Sequence, residues 1–296
     1  MQTSRNPRRE KEELFSIHGG HSRPYCLHAR DPLEDIIAAY LHRGFRRVGI
    51  VEHMPPLDDR YLYPEERAAG LSAAEMGERF RRYADDLRRL REKYSDRLRI
   101  YFGFETEFYP GAEEHIEKLR EEFQPDYIVG SLHHVGEIPI DFSEDDFCRA
   151  VNKGGGIVEL YRRYFDRQHE LLERVRPEVV GHFDLIRKYD PDYKNHLEET
   201  SIRERIRRNL ELVRDLDLIL ELNLRPWFRG EAEPYPSRLI LEAAREMDID
   251  VIPADDSHET ESAGRDVPRA LDLLREIGFA SVPSFPTEPN ACPKNI

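Results

Sequence analysis

The feature that most constrains this chain is an alternation of two hydrophobic periods. Short apolar runs, LFSIH, RVGIVEH, LRIYFGFE, DYIVGSLH, EVVGHFDL, LILELNL and DVIPADDSH, recur between longer amphipathic stretches. A short apolar run bounded by polar residues reads as a buried strand, and apolar residues recurring at three- and four-residue intervals read as a helix. The helical stretches carry their own boundaries. DPLEDIIAAYLHRGF opens with Asp31 as N-cap and Pro32 at the first helical position, and Gly44 closes it. SAAEMGERFRRYADDLRRLREKY opens with Ser72 and with Glu75 three residues later, a capping box. GIVELYRRYFDRQHELLERV, SIRERIRRNLELVRDL, SRLILEAAREM and VPRALDLLREIG follow. About seven β-then-α units predict an α/β chain with a parallel barrel or a doubly wound sheet.

Composition narrows the partners. The net charge of −14 argues against a nucleic-acid track, which requires a basic face, and leaves room for a local basic pocket that takes a small anion. The three cysteines, Cys26, Cys148 and Cys292, are too few and too scattered for a disulfide framework or a CxxC zinc motif, which points to a reducing cytoplasm. The opening MQTSRNPRREKEE is charged and lacks a signal-like apolar core. No run approaches the roughly 18 apolar residues of a membrane span. The first dozen residues and PSFPTEPNACPKNI read as tails around one domain, 1–296, with its core at about 14–282. KGGG at 153–156 reads as a plain loop.

Histidines gather where the strands end. His18 and His21 follow the first run and His28 lies just beyond; His53 ends the second, Glu105 the third, His133 the fourth and His182 the fifth. Asp256 and His258 end the last. In a parallel barrel all C-terminal strand ends meet on one face, where active sites are built. Imidazole and carboxylate suit zinc, manganese or iron, and this set exceeds the ligands of one zinc. A cluster of two or three divalent ions with a carboxylate bridge is expected. His42, His115, His169 and His196 fall in helical or loop patterns and read as solvated, His134 is ambiguous beside His133, and Cys26 reads as a packed thiol.

The motifs HGGHSRPYCLH, VEHMPP, GFETEF, VGSLHH, GHFDL and ADDSH, in this order over about residues 14–265, resemble those of the polymerase-and-histidinol-phosphatase (PHP) family of metal phosphoesterases. The resemblance implies a distorted TIM-like (βα)7 barrel with the metal site at the C-terminal strand ends. It implies one ion on His18, His21, Glu105 and Asp256, a second on Glu105, His133 and His182, and a third on His28, His53 and His258. EHMPP, RYLYPEE and HHVGEIPIDF resemble most the branch that hydrolyses L-histidinol phosphate in histidine biosynthesis. One departure stands out: the family's His-x-His is His18-Gly-Gly-His21 here. Strand residues three apart point to opposite faces, so the two glycines must supply a bend that turns both rings inward.

The chemistry so implied is hydrolysis of a phosphate monoester by a metal-bridging hydroxide near Glu105, with Asp256 and His258 as candidates to protonate the leaving oxygen. Basic residues near strand ends, Arg187, Lys188, Arg225 and Arg229, are candidates for the phosphate. Glu52, Glu107, Asp184, Asn223, Trp227 and Tyr235 are candidates for the rest of a small substrate. Another nucleotide or sugar phosphate ester is the main alternative. A phosphodiesterase acting on nucleic acid, a non-catalytic metal-dependent module and a zinc amidohydrolase fit less well. No membrane or nucleic-acid partner is expected, and homo-oligomerisation stays open.

Overall fold

The computed structural model describes residues 13–279. The expected tails, including Cys292, lie outside the described residues. Six parallel strands form one curled sheet: β1 (Arg47–His53), β2 (Arg99–Glu105), β3 (Tyr127–Gly130), β6 (Val179–Val180), β7 (Ile219–Asn223) and β8 (Val251–Ala254), adjacent in that order. Between β3 and β6 a two-residue hairpin, β4 (His134–Val135) with β5 (Ile138–Pro139), sits apart from the sheet. Each of six predicted runs contains a strand, and the EVVGHFDL run is regular over two residues only.

The seventh run, LFSIH, is not a regular strand, yet it takes the remaining stave. On one side Ser16 O and Gly19 O accept from Gly49 N and Val51 N of β1, at 2.8 and 2.9 Å. On the other, Ile17 N donates to Pro253 O and Asp256 N to His18 O, at 2.9 and 2.8 Å. Three residue steps on this segment oppose two on β1, so the ladder carries a bulge. The ring is thereby bonded through all seven staves.

Side chains alternate across a strand. Phe15, Ile17, Val51, Tyr101, Tyr127, Val129, Val179, Ile219, Ile252 and Ala254 pack into one inner cluster drawn from all seven staves. Ile50, Ile100, Phe102, Phe104, Leu220 and Leu222 take the opposite phase and pack into the larger cluster shared with the helices. Two apolar layers on a sheet buried on both faces explain why the strands read as continuous apolar runs.

Helices span Leu33–His42, Ala73–Tyr94, Ile157–Val175, Thr200–Asp215, Arg238–Glu246 and Val267–Ile277, close to the predicted stretches. The capping box at Ser72 and Glu75 is formed. At the first helix the N-cap is Pro32 rather than Asp31, because the Asp31 carboxylate accepts from the backbone and hydroxyl of Thr260 at 2.7 and 2.8 Å. Helices Ala112–Phe123 and Glu144–Gly154 were not anticipated. The KGGG stretch is not a plain loop: Lys153 and Gly154 finish the helix Glu144–Gly154, Gly155 caps it and Gly156 opens the next.

Candidate metal centre

The inner phase that carries the apolar cluster continues into polar residues at the C-terminal mouth. Tyr101 is followed two residues on by Gly103 and then Glu105; Val51 is followed by His53, and Ala254 by Asp256. In the β1–β2 register His53 lies opposite Glu105. The same geometry that buries apolar residues below thus points imidazoles and carboxylates at one another above.

Glu105 is the hub. One carboxylate oxygen lies 2.9 Å from His53 Nδ1, 3.7 Å from His18 Nε2 and 3.9 Å from His21 Nε2. The other lies 2.9 Å from His182 Nε2 and 3.4 Å from His133 Nε2. Burial opposes its charge, yet His133, His18 and His53 hold the carboxyl well below its ordinary range. Glu105 groups with His18 and His21 on one side and with His133 and His182 on the other, in each case with ligand atoms within 4.8 Å of one another.

The two glycines between His18 and His21 fit their task. Gly20 has a φ of +87°, the left-handed region that L side chains avoid. A Cβ on Gly19 would come within 2.3 Å of the Tyr40 hydroxyl and 2.5 Å of Asp255 Oδ1. The bend lets His18 Nε2 and His21 Nε2 approach to 3.0 Å despite their three-residue spacing. Asp256 sits beside this pair with a φ of +48°, its Oδ1 3.5 Å from His21 Nε2. It groups with His21 and His258 rather than with His18 and Glu105.

His28, His53 and His258 form a further group, and the buried Cys26 belongs to it. The ring centroids of His28 and His258 lie 4.7 Å apart, and those of His28 and His53 5.4 Å. The sequence expectation of a merely packed thiol therefore omitted its neighbours.

The donor set suits metal ions. His133 Nε2 and His182 Nε2 also approach to 3.0 Å. Two imidazoles on one tetrahedral ion, with bonds of 2.0–2.1 Å, would stand roughly 3.3 Å apart. His53 Nε2, the ring nitrogen turned away from Glu105, is buried without a hydrogen-bond partner among the described residues. Buried ring nitrogens without partners are costly unless something else coordinates them.

Outer carboxylates aim these rings. Glu221 accepts from His18 Nδ1 at 2.8 Å and from the His182 backbone N at 2.7 Å. Despite burial, Glu221 and Glu105 raise the His18 pKa to about 10. Glu107 contacts Nδ1 of both His133 and His134, the latter at 3.0 Å. Tyr63 Oη lies 3.0 Å from His133 Nδ1. Such partners take Nδ1–H and aim Nε2 at the metal positions, where a bound ion would replace its proton. Glu221 escaped the sequence reading. The signal was there: in LILELNL, Ile219, Glu221 and Asn223 share one face, so the charged residue points into the barrel with Ile219.

The mouth is a cavity of about 370 Å³. Glu105, His28, His53, His133, His182, Asp256 and His258 line it, with Lys188, Arg225, Arg229, Tyr63, Glu65, Asp141 and Tyr235. Arg187 is placed elsewhere and corrects the expectation that four basic residues share this face. Its guanidinium donates to Asp184 Oδ2 at 3.1 Å and to the carbonyls of Glu233 and Pro234, between the rings of Tyr193 and Tyr235. A short 3-10 turn over Leu185–Arg187 turns this side chain inward. Arg225 pairs with Glu259 at 2.7 Å, while Arg229 is exposed with no ion-pair partner among the described residues. Of the six other substrate candidates, Tyr235 lines the cavity. Glu52 accepts from Ser22 N, Asp184 holds Arg187, Asn223 donates to Glu221, and Trp227 packs under Arg269.

A curled parallel barrel with His and carboxylate groups converging at its mouth defines a metal-hydrolase architecture. The chain belongs to the PHP family: a PHP domain matches residues 19–225. A probable histidinol-phosphatase of Schizosaccharomyces pombe is 35% identical over 269 residues, covering 88% of this chain and 86% of the relative. The histidinol-phosphatase of Saccharomyces cerevisiae is 26% identical, covering 83% and 84%. The fold matches histidinol phosphate phosphatase from Lactococcus lactis, solved with zinc, L-histidinol and phosphate, at a TM-score of 0.69 and 16% identity, covering 92% and 97%.

Proposed function

We propose that this chain is a histidinol-phosphatase, a phosphoric monoester hydrolase that cleaves L-histidinol phosphate to L-histidinol and phosphate. The observation that carries the reading is Glu105, whose two oxygens face five histidine nitrogens within 4 Å at the cavity mouth. Identity with the S. pombe relative over nearly the whole chain supports the substrate.

The residues fit three divalent ions of zinc, manganese or iron. His18 and His21 with Glu105, and Glu105 with His133 and His182, would hold two; His28, His53 and His258 would hold the third. Asp256 would add a carboxylate ligand beside His21 and His258. When bound, such ions lower the pKa of water from 15.7 to about 7 and neutralise phosphoryl oxygens. The chain's own residues do the rest. Arg229 and Arg225 bind the phosphate oxygens, and Lys188 adds a point charge from the same wall. His258 donates Nδ1–H to the Asp256 carbonyl at 2.9 Å, which keeps Nε2 turned away from that bond. Asp256 and His258 stand nearest the leaving oxygen, but both are taken up in ligand groups and hold their protons only below the ordinary range, so neither supplies its proton. Glu65 and Asp141 supply negative charge for the imidazole and amine of the substrate.

The reading takes residues 1–296 as one such domain. Among the described residues no helix is long and apolar enough to cross a membrane. The test is phosphate release from L-histidinol phosphate, a nucleotide monophosphate and an aryl phosphate, with added zinc or manganese and with chelator. Chelator-sensitive preference for histidinol phosphate is expected. Equal turnover of all three esters would retain the phosphatase and remove the substrate.

A further inference from the structure

The group formed by Cys26, His28, His53 and His258 differs in kind from the other three, because one donor is sulfur. Its four ligand atoms lie within 4.8 Å of one another. Cys26 is 5% exposed. Its position is set by the backbone: Cys26 N donates to Ser22 O at 2.9 Å, closing a turn that places the thiol two residues before His28. The loop is tied down at its far end. Arg30 N donates to His258 O at 2.8 Å, and Arg23 Nε donates to Ala29 O at 2.7 Å. These bonds hold Cys26 and His28 against His258 from the opposite end of the chain.

We infer that Cys26 is the fourth protein ligand of the third ion, giving that position one thiolate and three imidazoles, unlike the two built on Glu105. The inference rests on the three-ion reading above. Three neutral imidazoles and one thiolate complete a tetrahedral set with Zn–S near 2.3 Å and Zn–N near 2.0–2.1 Å. Bonds of those lengths put tetrahedral donor atoms roughly 3.3–3.6 Å apart, inside the 4.8 Å that spans this group. A thiolate is a soft donor, so this position favours zinc over manganese, while the imidazole and carboxylate positions tolerate either. The third ion would then also tie the 22–31 loop to the mouth and help to orient His53 beside Glu105.

The experiment is cobalt loading of chelator-stripped full-length protein, followed by absorption spectroscopy and metal counting. Wild type should take up three equivalents and show a sulfur-to-cobalt charge-transfer band in the near ultraviolet. Cys26→Ser should lose that band and about one equivalent. Cys26→Ala is run beside it, and far-ultraviolet circular dichroism checks that each variant is folded. Three equivalents bound by wild type with no sulfur band would overturn the role of Cys26 and leave the three-ion reading standing. Two equivalents with no band would overturn both. A band that persists in Cys26→Ser would assign the sulfur ligand to another cysteine and overturn the inference.

Discussion

Glu221 accepts a hydrogen bond from His18 Nδ1 at 2.8 Å while its other oxygen accepts from the backbone N of His182 at 2.7 Å. One buried carboxylate thus positions residues from two sides of the metal centre without itself belonging to any of the ligand groups. Loss of such an outer partner typically costs about 10–100-fold in metal affinity. Glu221→Gln should therefore weaken zinc binding by about that factor, read by competition with a chromophoric chelator. Unaltered affinity would reduce Glu221 to a packing role.

Glu105 offers oxygens to both neighbouring groups, so its removal should act on two ions at once. Glu105→Ala is expected to lose bound metal and nearly all phosphatase activity. Metal analysis and a phosphate-release assay check this, and a variant with full turnover would sink the bridging assignment.

Gly19 has no room for a side chain. Gly19→Ala would push a methyl group against the Tyr40 hydroxyl and Asp255. Overpacking of this kind costs about 1–3 kcal/mol, or several degrees of Tm in a chain of this size. Because the same step displaces His18 from His21, metal content should fall in parallel. Differential scanning calorimetry with metal analysis reads both, and an unchanged Tm would show that the bend tolerates a Cβ.

Arg187 and Arg229 should separate cleanly. Arg229→Ala should raise KM for the phosphate substrate with little effect on stability, since its guanidinium is exposed and unpaired among the described residues. Arg187→Ala leaves the Asp184 carboxylate buried without its cation. Breaking such a buried pair costs about 3–5 kcal/mol. Thermal melts and Michaelis constants of the two variants should show opposite patterns. A raised KM with normal stability in Arg187→Ala would restore it to the substrate wall.

Lys188 sets a pH dependence. Burial, aided by Arg229, lowers its pKa below the ordinary lysine value, and Asp141 opposes the shift. It therefore loses its proton at a lower pH than a free lysine. Phosphate affinity should decline, and KM rise, as pH increases through that lowered value. Lys188→Arg keeps its charge and should move the alkaline limb to higher pH. Superimposable KM profiles for the two proteins would exclude Lys188 from phosphate binding.

Much of the architecture was legible from local pattern. RVGIVEH coincides with Arg47–His53, and the capping box at Ser72 forms as spelled. His53, Glu105, His133, His182, Asp256 and His258 fall at or just beyond strand ends because every stave runs the same way, a property that alternating β and α elements already impose. The helix Ala112–Phe123 was missed between two strong strands.

What the sequence by itself determined is the periodic part: which runs form staves, which phase faces inward and which residues reach the mouth. Those follow from backbone geometry repeated along the chain. Tertiary structure alone decided the rest. It absorbed the additional residue between His18 and His21 into a bulge against β1, turned Arg187 from the mouth toward Asp184, and brought Cys26 to three histidines. It also set Glu221 beneath His18, 203 residues away. These outcomes depend on register and ring closure between distant segments, and no local period encodes which side chains then meet.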